Sequence, residues 1–168
     1  MRRAMGSHQS ARMITGEWLT PPEIIEALGP FDLDPCSPVK RPWDTAELYY
    51  TEDDDGLSHS WESHRIWMNP PYSREAAKWM KRMAEHDNGI ALLFARTETR
   101  LFFNHVWGKA SALLFIEGRL HFHYVDGTRA KANSGAPSVL IAYGSDNAHR
   151  LQHSGIKGAF VGGHTMIM

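Results

Sequence analysis

The sequence predicts a single-domain α/β protein with a mostly parallel, reduced central sheet flanked by helices. Short apolar runs of strand length alternate with segments whose apolar residues have helical spacing, and this alternation is typical of strands joined by crossover helices. The 168 residues suffice for one hydrophobic core, and 42% of them are hydrophobic.

The first part of the chain predicts one helix and one strand. Thr20-Pro21-Pro22 has the composition of an N-cap followed by early prolines, and the helix that follows, over residues 23–28, ends at Gly29-Pro30. Residues 31–34 predict a short strand that leads into a loop. Residues 39–60 contain prolines and an acidic run, and they predict irregular structure.

The remainder is more regular. It predicts a strand at 65–68, a helix at 74–85, a strand at 90–95, a helix at 99–107, a strand at 112–116 with an extension at 120–125, and a strand at 138–143. We therefore expect a loosely ordered segment at 1–15, the domain itself at 16–144, and an extension at 145–168 to which the pattern assigns no role.

Composition disfavours several protein classes. No apolar run approaches the roughly 20 residues of a membrane span, and the two N-terminal arginines precede no hydrophobic stretch of a secretory signal. The single cysteine, Cys36, excludes an internal disulfide and a multi-cysteine zinc site. We expect a cytoplasmic protein with no membrane contact.

The charge balance does not by itself predict a nucleic-acid partner. The chain has 18 Lys and Arg against 19 Asp and Glu, whereas DNA-binding proteins usually present a basic face to the phosphates. DNA binding then requires basic residues to cluster. The candidates for DNA contact are Arg96, Arg100, Arg119, Arg129 and Lys131.

Two polar residues stand at the ends of predicted strands, each followed by proline. Asp34 precedes Pro35, and Asn69 precedes Pro70. In open α/β sheets, ligands bind outside the carboxyl ends of the strands. Both positions therefore predict a ligand site.

The segment Asn69-Pro70-Pro71-Tyr72 has the chemistry to activate an arylamine. The lone pair of such a nitrogen is delocalised into its ring, so a catalyst must accept hydrogen bonds from both amino protons. The Asn69 amide oxygen and the Pro70 carbonyl provide two acceptors, held rigid by proline. Tyr72 provides a face on which a flipped-out base can stack. Without further residues, a proline-stiffened loop with Tyr72 in ordinary packing is an equal alternative.

A longer series of motifs resembles the phage-type DNA N6-adenine methyltransferases. It covers roughly residues 16–144 and consists of Trp18-x-Thr20-Pro21, GPFDLDPCSP at 29–38, DGL at 55–57 with Trp61, WMNPPYS at 67–73, LLFARTETRLFF at 92–103, LLFIEGRLHF at 113–122 and SGAPSVLIAYG at 134–144. The resemblance implies a Rossmann-like class I methyltransferase fold, S-adenosylmethionine as the methyl donor and adenine in DNA as the acceptor.

The resemblance also implies roles for individual residues. Asn69, Pro70, Pro71 and Tyr72 match the catalytic loop. The residues that match cofactor-binding positions are Trp18, Thr20, Pro21, Asp34, Pro35, Cys36, Asp55 and Asn69. The chain departs from larger methyltransferases in lacking the glycine-rich loop after the first strand, and a second strand with a ribose-binding acid is not evident.

Other residues suggest weaker hypotheses. His121 and His123 share a face of a predicted strand and have metal-ligand spacing, but no third ligand is evident, and we expect no metal. Trp67, Trp79 and Trp107 lie in periodic apolar segments and are expected in the core.

The sequence leaves four functional alternatives open. The acceptor could be cytosine in DNA, an RNA base or a protein glutamine, or the chain could be a non-catalytic DNA-binding module that keeps the fold. It also leaves open a homodimer or a partner subunit that supplies recognition.

Overall fold

The computed structural model describes residues 18–164 and 166–167, so the predicted segment 1–15 lies outside the described residues. Within them, one sheet of seven strands is flanked by four helices. In chain order the elements are α1 (Pro22–Leu28), β1 (Leu33–Asp34), β2 (Leu48–Tyr49), β3 (Ile66–Met68), α2 (Ala76–His86), β4 (Gly89–Phe94), α3 (Arg100–His105), β5 (Ala112–Ile116), β6 (Ser138–Tyr143), α4 (Ser145–Gln152) and β7 (Gly158–Gly162).

The strand order β2-β1-β3-β4-β6-β5-β7 places a topological switch point at β1. From β1 the chain first adds β2 on one side, in parallel with Leu33 beside Leu48. It then adds β3 on the other side, also in parallel, with Leu33 beside Ile66. Connections diverge at such a point and leave a crevice at the carboxyl ends of the strands, where ligands bind.

The expectation of a mostly parallel sheet was wrong. Strands β1 to β5 run in one direction, but β6 lies reversed between β4 and β5, and β7 pairs antiparallel with β5. Three of the six strand pairings among the described residues are therefore antiparallel. A central strand is apolar on both faces whichever way it runs, so the run at 138–143 carries no information about its direction.

Both faces of the sheet are buried. Ile66 and Met68 of β3 pack on the side of α2 and α3, together with Met80 and Phe102. Trp67, between them on the strand, packs on the opposite side with α1 and α4. This alternation follows from the two-residue period of a strand and explains why β3, β4 and β6 are almost uniformly apolar.

Most predicted elements are confirmed within one or two residues at their ends, but three regions differ. Strand β2 lies inside the segment predicted as irregular, and it was missed because two residues are too short to show a period. Residues 120–125 do not extend β5, and within them His123 forms isolated bridges with Leu19 and Arg129. After Tyr143, α4 packs on β5 and β6, and β7 extends the sheet.

Among the described residues, no helix combines the length and apolar character that crossing a membrane requires.

Candidate active site

A cavity of about 280 Å³ lies at the carboxyl ends of β1, β2 and β3, and we call it the strand-end cavity. It brings together eight of the residues that the sequence singles out: Trp18, Pro35, Cys36, Asp55, Asn69, Pro70, Pro71 and Tyr72. These residues come from four separate segments of the chain. They meet because parallel strands end at the same edge of the sheet.

Thr20, Pro21 and Asp34 do not line this cavity. Thr20 and Asp34 instead line a void of about 20 Å³ that also touches Asn69. Pro21 is buried at the N-cap position of α1. The interpretation of Thr20 as a helix cap was wrong, because α1 has no side-chain cap and the Thr20 hydroxyl accepts a hydrogen bond from Asn69 Nδ2 at 3.3 Å.

Asp34 braces the loop that follows β1. One carboxylate oxygen accepts a hydrogen bond from the Cys36 backbone N–H at 3.1 Å, and the other accepts one from the Thr45 hydroxyl. Burial raises the pKa of Asp34 from 3.8 to about 6, although these hydrogen bonds and the charge of Arg41 act in the opposite direction. Asp34 therefore stabilises the loop that forms the cavity wall, although Asp34 itself does not line the cavity.

The raised pKa of Asp34 predicts a pH dependence of stability. Between pH 3.8 and about pH 6, Asp34 keeps its proton in the folded protein but has lost it in the unfolded chain. The contribution of Asp34 to the free energy of unfolding therefore falls as pH rises through that range. The loss reaches roughly 3 kcal/mol above the folded-state pKa. We expect the stability of Asp34→Asn, relative to wild type, to increase from pH 4 to pH 7 in urea titrations. A stability difference between Asp34→Asn and wild type that stays constant with pH would contradict this prediction.

Cys36 lines the cavity as a neutral side chain. Burial and the neighbouring Asp34 raise the pKa of its thiol well above the ordinary value. A thiol in this state is a poor nucleophile, so packing accounts for Cys36 better than covalent chemistry does.

The side chains of Asn69 and Tyr72 are hydrogen bonded to each other. The Tyr72 hydroxyl donates to Asn69 Oδ1 at 3.0 Å, and the Tyr72 ring stacks on Phe94 with centroids 4.3 Å apart. Burial raises the pKa of Tyr72 well above its usual value, so the hydroxyl remains a donor. The Pro70 carbonyl accepts no hydrogen bond from the described part of the chain, whereas the Pro71 carbonyl accepts one from the Ser73 N–H.

A larger cavity of about 790 Å³ adjoins the first, and we call it the hairpin cavity. Trp18 and Tyr72 line both cavities and so form part of the boundary between them. Its other lining residues are largely aromatic or apolar, and they include Phe94, Phe102, Phe122, Tyr124 and Ala130.

The connection between β5 and β6 forms the outer wall of the hairpin cavity. Residues 119–135 of this connection, which we call the 119–135 loop, fold back with the Ala130 N–H bonded to the Phe122 carbonyl. His123 pairs with Leu19 through two backbone hydrogen bonds of 2.9 and 3.1 Å. The loop is thereby tied to the N-terminal segment that carries Trp18.

The predicted DNA-contacting residues occupy different positions. Arg96 lines the hairpin cavity, and Arg100 is exposed on α3. Arg129 and Lys131 are exposed on the 119–135 loop, whereas Arg119 donates to the Ser134 carbonyl at 3.1 Å within that loop. Among the described residues, the side chains of the other four form no hydrogen bond or ion pair, and Arg119 braces the loop.

Sequence reasoning missed several residues of the strand-end cavity. Thr51 and Glu52 follow β2, Gly56 lies beside Asp55, and Trp79 projects from α2. Glu52 could have been found only by detecting β2. Trp79 was expected in the core because it fits the apolar spacing of α2, and it is half-buried at the cavity wall.

The histidine pair forms no metal centre in the described part of the chain, where no group of three His, Cys, Asp or Glu side chains could hold an ion. The His121 ring lies 3.3 Å from the Ala130 carbonyl, and the His123 ring packs edge-on against Trp43.

Two comparisons with known proteins indicate the same enzyme family. A family model described as DNA N-6-adenine-methyltransferase (Dam) matches residues 8–151. A curated protein of Escherichia phage T1, named DNA N-6-adenine-methyltransferase, is 30% identical over 111 residues, which cover 61% of this chain and 45% of the relative. The chain thus spans slightly under half of that relative's length. No solved structure matches the chain.

Proposed function

Because the chain belongs to the Dam family of DNA N-6-adenine-methyltransferases, we propose that it transfers a methyl group from S-adenosylmethionine to the N6 amino group of adenine in DNA. One observation carries the proposal: Asn69 and Pro70 line the strand-end cavity at the end of β3, and Tyr72, whose hydroxyl bonds Asn69 Oδ1, lines both this cavity and the hairpin cavity. A methyl donor in the strand-end cavity and a base in the hairpin cavity would then meet beside Asn69 and Pro70.

A Rossmann-like class I methyltransferase fold is part of the proposal. The switch point at β1 and the crevice beside it support this assignment. The connection after β1 begins with the segment from Pro35 to Pro38, held by Asp34, in place of a glycine-rich turn.

The strand-end cavity suits S-adenosylmethionine. The cofactor supplies an electrophilic methyl group on a positively charged sulfur and carries ribose hydroxyls and an adenine ring. The carboxylates of Glu52 and Asp55 complement a cation and can accept hydrogen bonds from hydroxyl or amino groups. Trp79 and the prolines offer apolar surface for the ring. We assign Glu52, which follows β2, to the ribose hydroxyls, and Trp18 to the reactive end near Tyr72.

The protein's part in the reaction is to position and polarise the acceptor nitrogen. Asn69 Oδ1 and the Pro70 carbonyl each accept a hydrogen bond from one of its two protons. The nitrogen then becomes pyramidal and directs its lone pair at the methyl carbon. The cofactor held in the strand-end cavity would supply the methyl group, so that an N–C bond would form as its S–C bond breaks, and one N6 proton would leave to solvent. The rate gain comes from orientation and fixed dipoles.

Substrate entry requires a change at Tyr72. In the structure the Tyr72 hydroxyl donates a hydrogen bond to Asn69 Oδ1, the acceptor that the adenine amino group needs. Phe94 stacks on one face of the Tyr72 ring, and Phe122 lies at about a right angle to it with centroids 6.4 Å apart. A base flipped into the hairpin cavity would stack on the face that Phe94 leaves uncovered. The adenine amino group would therefore replace the phenol as the donor to Asn69.

Two substitutions of Tyr72 separate its ring from its hydroxyl. Stacking on an aromatic ring is worth about 1–3 kcal/mol per base, so Tyr72→Ala is expected to lower kcat/KM for DNA by roughly 5- to 150-fold. Tyr72→Phe keeps the ring and removes only the competing donor, and it is expected to stay within about threefold of wild type. Steady-state kinetics with a duplex oligonucleotide measures both. Equal losses in the two variants would assign the effect to the hydroxyl.

The DNA backbone is expected to pass over Arg96, Arg100 and the 119–135 loop. The exposed cations of this loop, Arg129 and Lys131, flank Ala130 of the hairpin cavity, and this supports the clustering that DNA binding by a chain of net charge −1 requires. A second copy or a partner subunit would extend this contact. The place of action is the cytoplasm of a bacterium or a phage-infected cell, where DNA is present.

The test is transfer of a labelled methyl group from S-adenosylmethionine to unmethylated DNA, followed by digestion to nucleosides. Label in N6-methyladenine supports the proposal. Label in methylcytosine, or transfer only to RNA or to protein glutamine, would assign another acceptor. Folded protein that binds DNA but neither binds nor consumes the cofactor would identify a non-catalytic module.

A further inference from the structure

Thr20 lies directly behind the proposed catalytic asparagine. Its side chain is 3% exposed and lines the small void shared with Asp34 and Asn69, outside both larger cavities. It therefore has no surface to offer to the cofactor, although its segment resembles cofactor-binding positions. Its hydroxyl instead accepts the hydrogen bond from Asn69 Nδ2.

The direction of the Asn69 amide matters for the proposed reaction. A carboxamide has an accepting and a donating end, and a half turn about its terminal bond exchanges them. With Nδ2 turned toward the base, an N–H of Asn69 would face an N–H of the adenine amino group. The N6 proton that Asn69 Oδ1 is proposed to bind would then have no acceptor. Turnover therefore requires that Nδ2 be held away from the base.

Two hydroxyls flank the amide and determine its direction. The phenol of Tyr72 is more acidic than an aliphatic hydroxyl and is the stronger donor, so it favours the oxygen end. This leaves Thr20 as the acceptor for Nδ2. When the adenine amino group displaces Tyr72, Thr20 is the one hydroxyl in the described part of the chain that still bonds the amide.

The backbone holds Thr20 firmly at this place. Leu19, the preceding residue, forms two hydrogen bonds with His123, and Pro21, the following residue, begins the first turn of α1. The Pro21 carbonyl accepts from the Ile24 N–H at 3.1 Å. A residue fixed on both sides can orient its neighbour without moving during turnover.

We propose that Thr20 is a positioning residue, which orients the Asn69 carboxamide so that Oδ1 faces the acceptor amino group. This inference rests on the proposed function and deepens it. It assigns Thr20 an effect on turnover rather than on cofactor affinity, and the two assignments predict different kinetics.

The experiment compares Thr20→Val, which removes the hydroxyl at constant shape, with Thr20→Ser, which retains it. Loss of one hydrogen bond that selects an amide orientation is expected to lower kcat of Thr20→Val about tenfold. The dissociation constant for S-adenosylmethionine, measured by calorimetry, is expected to stay within about twofold of wild type. Thr20→Ser is expected to recover most of the loss in kcat.

Each other outcome counts against the inference. An unchanged kcat in Thr20→Val, or equal losses in the Val and Ser variants, would overturn it. A tenfold rise in the dissociation constant with constant kcat would return Thr20 to cofactor binding. If thermal denaturation shows that Thr20→Val is unfolded, Thr20→Ala gives the same comparison with Thr20→Ser. If the wild-type protein binds the cofactor but methylates no adenine, the proposed function itself is wrong. If the wild-type protein methylates adenine and the variants do not differ from it, only the role of Thr20 is wrong.

Discussion

Replacing Asn69 by alanine is expected to abolish methyl transfer to adenine and to leave the protein folded. The change removes the side-chain oxygen proposed to accept one N6 proton and leaves the Pro70 carbonyl as the remaining proposed acceptor. Removing one preorganised hydrogen-bonding group from a reaction centre costs on the order of 100- to 1000-fold in kcat. Counting labelled N6-methyladenine after digestion of the DNA measures the loss.

Asn104→Ala is the matched control for this change. Asn104 is exposed on α3 and lines none of the three cavities. The control should methylate at the wild-type rate, and circular dichroism should show the same fold for both variants. Asn69→Ala protein that remains folded and keeps more than a tenth of wild-type kcat would contradict the proposed mechanism.

A second large effect is expected from Gly56→Ala, which should lower the affinity for S-adenosylmethionine by at least tenfold and also reduce stability. A Cβ atom at Gly56 would lie 1.9 Å from the Pro35 carbonyl oxygen, a backbone atom that cannot rotate away. Gly56 is itself held in place, because its carbonyl accepts a hydrogen bond from the Trp61 indole N–H at 2.9 Å. The Trp61 side chain is buried, with 1% of its surface exposed. The clash must therefore displace the Pro35–Cys36 wall of the strand-end cavity. Overpacking of this kind typically costs about 1–3 kcal/mol of stability.

Gly135→Ala provides the comparison, because a Cβ there would meet nothing within 4 Å and Gly135 does not line the strand-end cavity. Calorimetry gives the cofactor dissociation constant, and thermal denaturation gives the change in Tm. Gly135→Ala should match wild type in both. An unchanged dissociation constant in Gly56→Ala would show that the Pro35–Cys36 wall does not contact the cofactor.

Much of the fold and of the candidate site was predictable from local pattern. The buried runs that form β3, β4, β5 and β6 are long enough to show as strands, and the polar residues that end β1 and β3 could be recognised from the prolines that follow them. Asn69, Pro70, Pro71 and Tyr72 are contiguous, so no fold was needed to group them. Trp18, Cys36 and Asp55 were grouped with them by resemblance, and the structure places all of these residues around one cavity.

Other features were beyond local pattern, because they depend on which segments meet. Strand β2 consists of two exposed residues, and only its pairing with β1 makes it a strand and brings Glu52 to the cavity. The C-terminal segment looked weakly patterned because β7 is an edge strand, largely exposed and stabilised by its ladder with β5.

Local pattern predicts the α/β class, the positions of the apolar strands and the chemical groups of the proposed catalytic loop, because periodicity and covalent neighbours are local properties. Long-range contacts set the antiparallel direction of β6, the brace that Asp34 provides and the use of Thr20 as a partner of Asn69 rather than a helix cap. Strand direction and hydrogen-bond partners are settled by contacts between residues far apart in the chain, such as Thr20 and Asn69, and a one-dimensional pattern does not contain those distances.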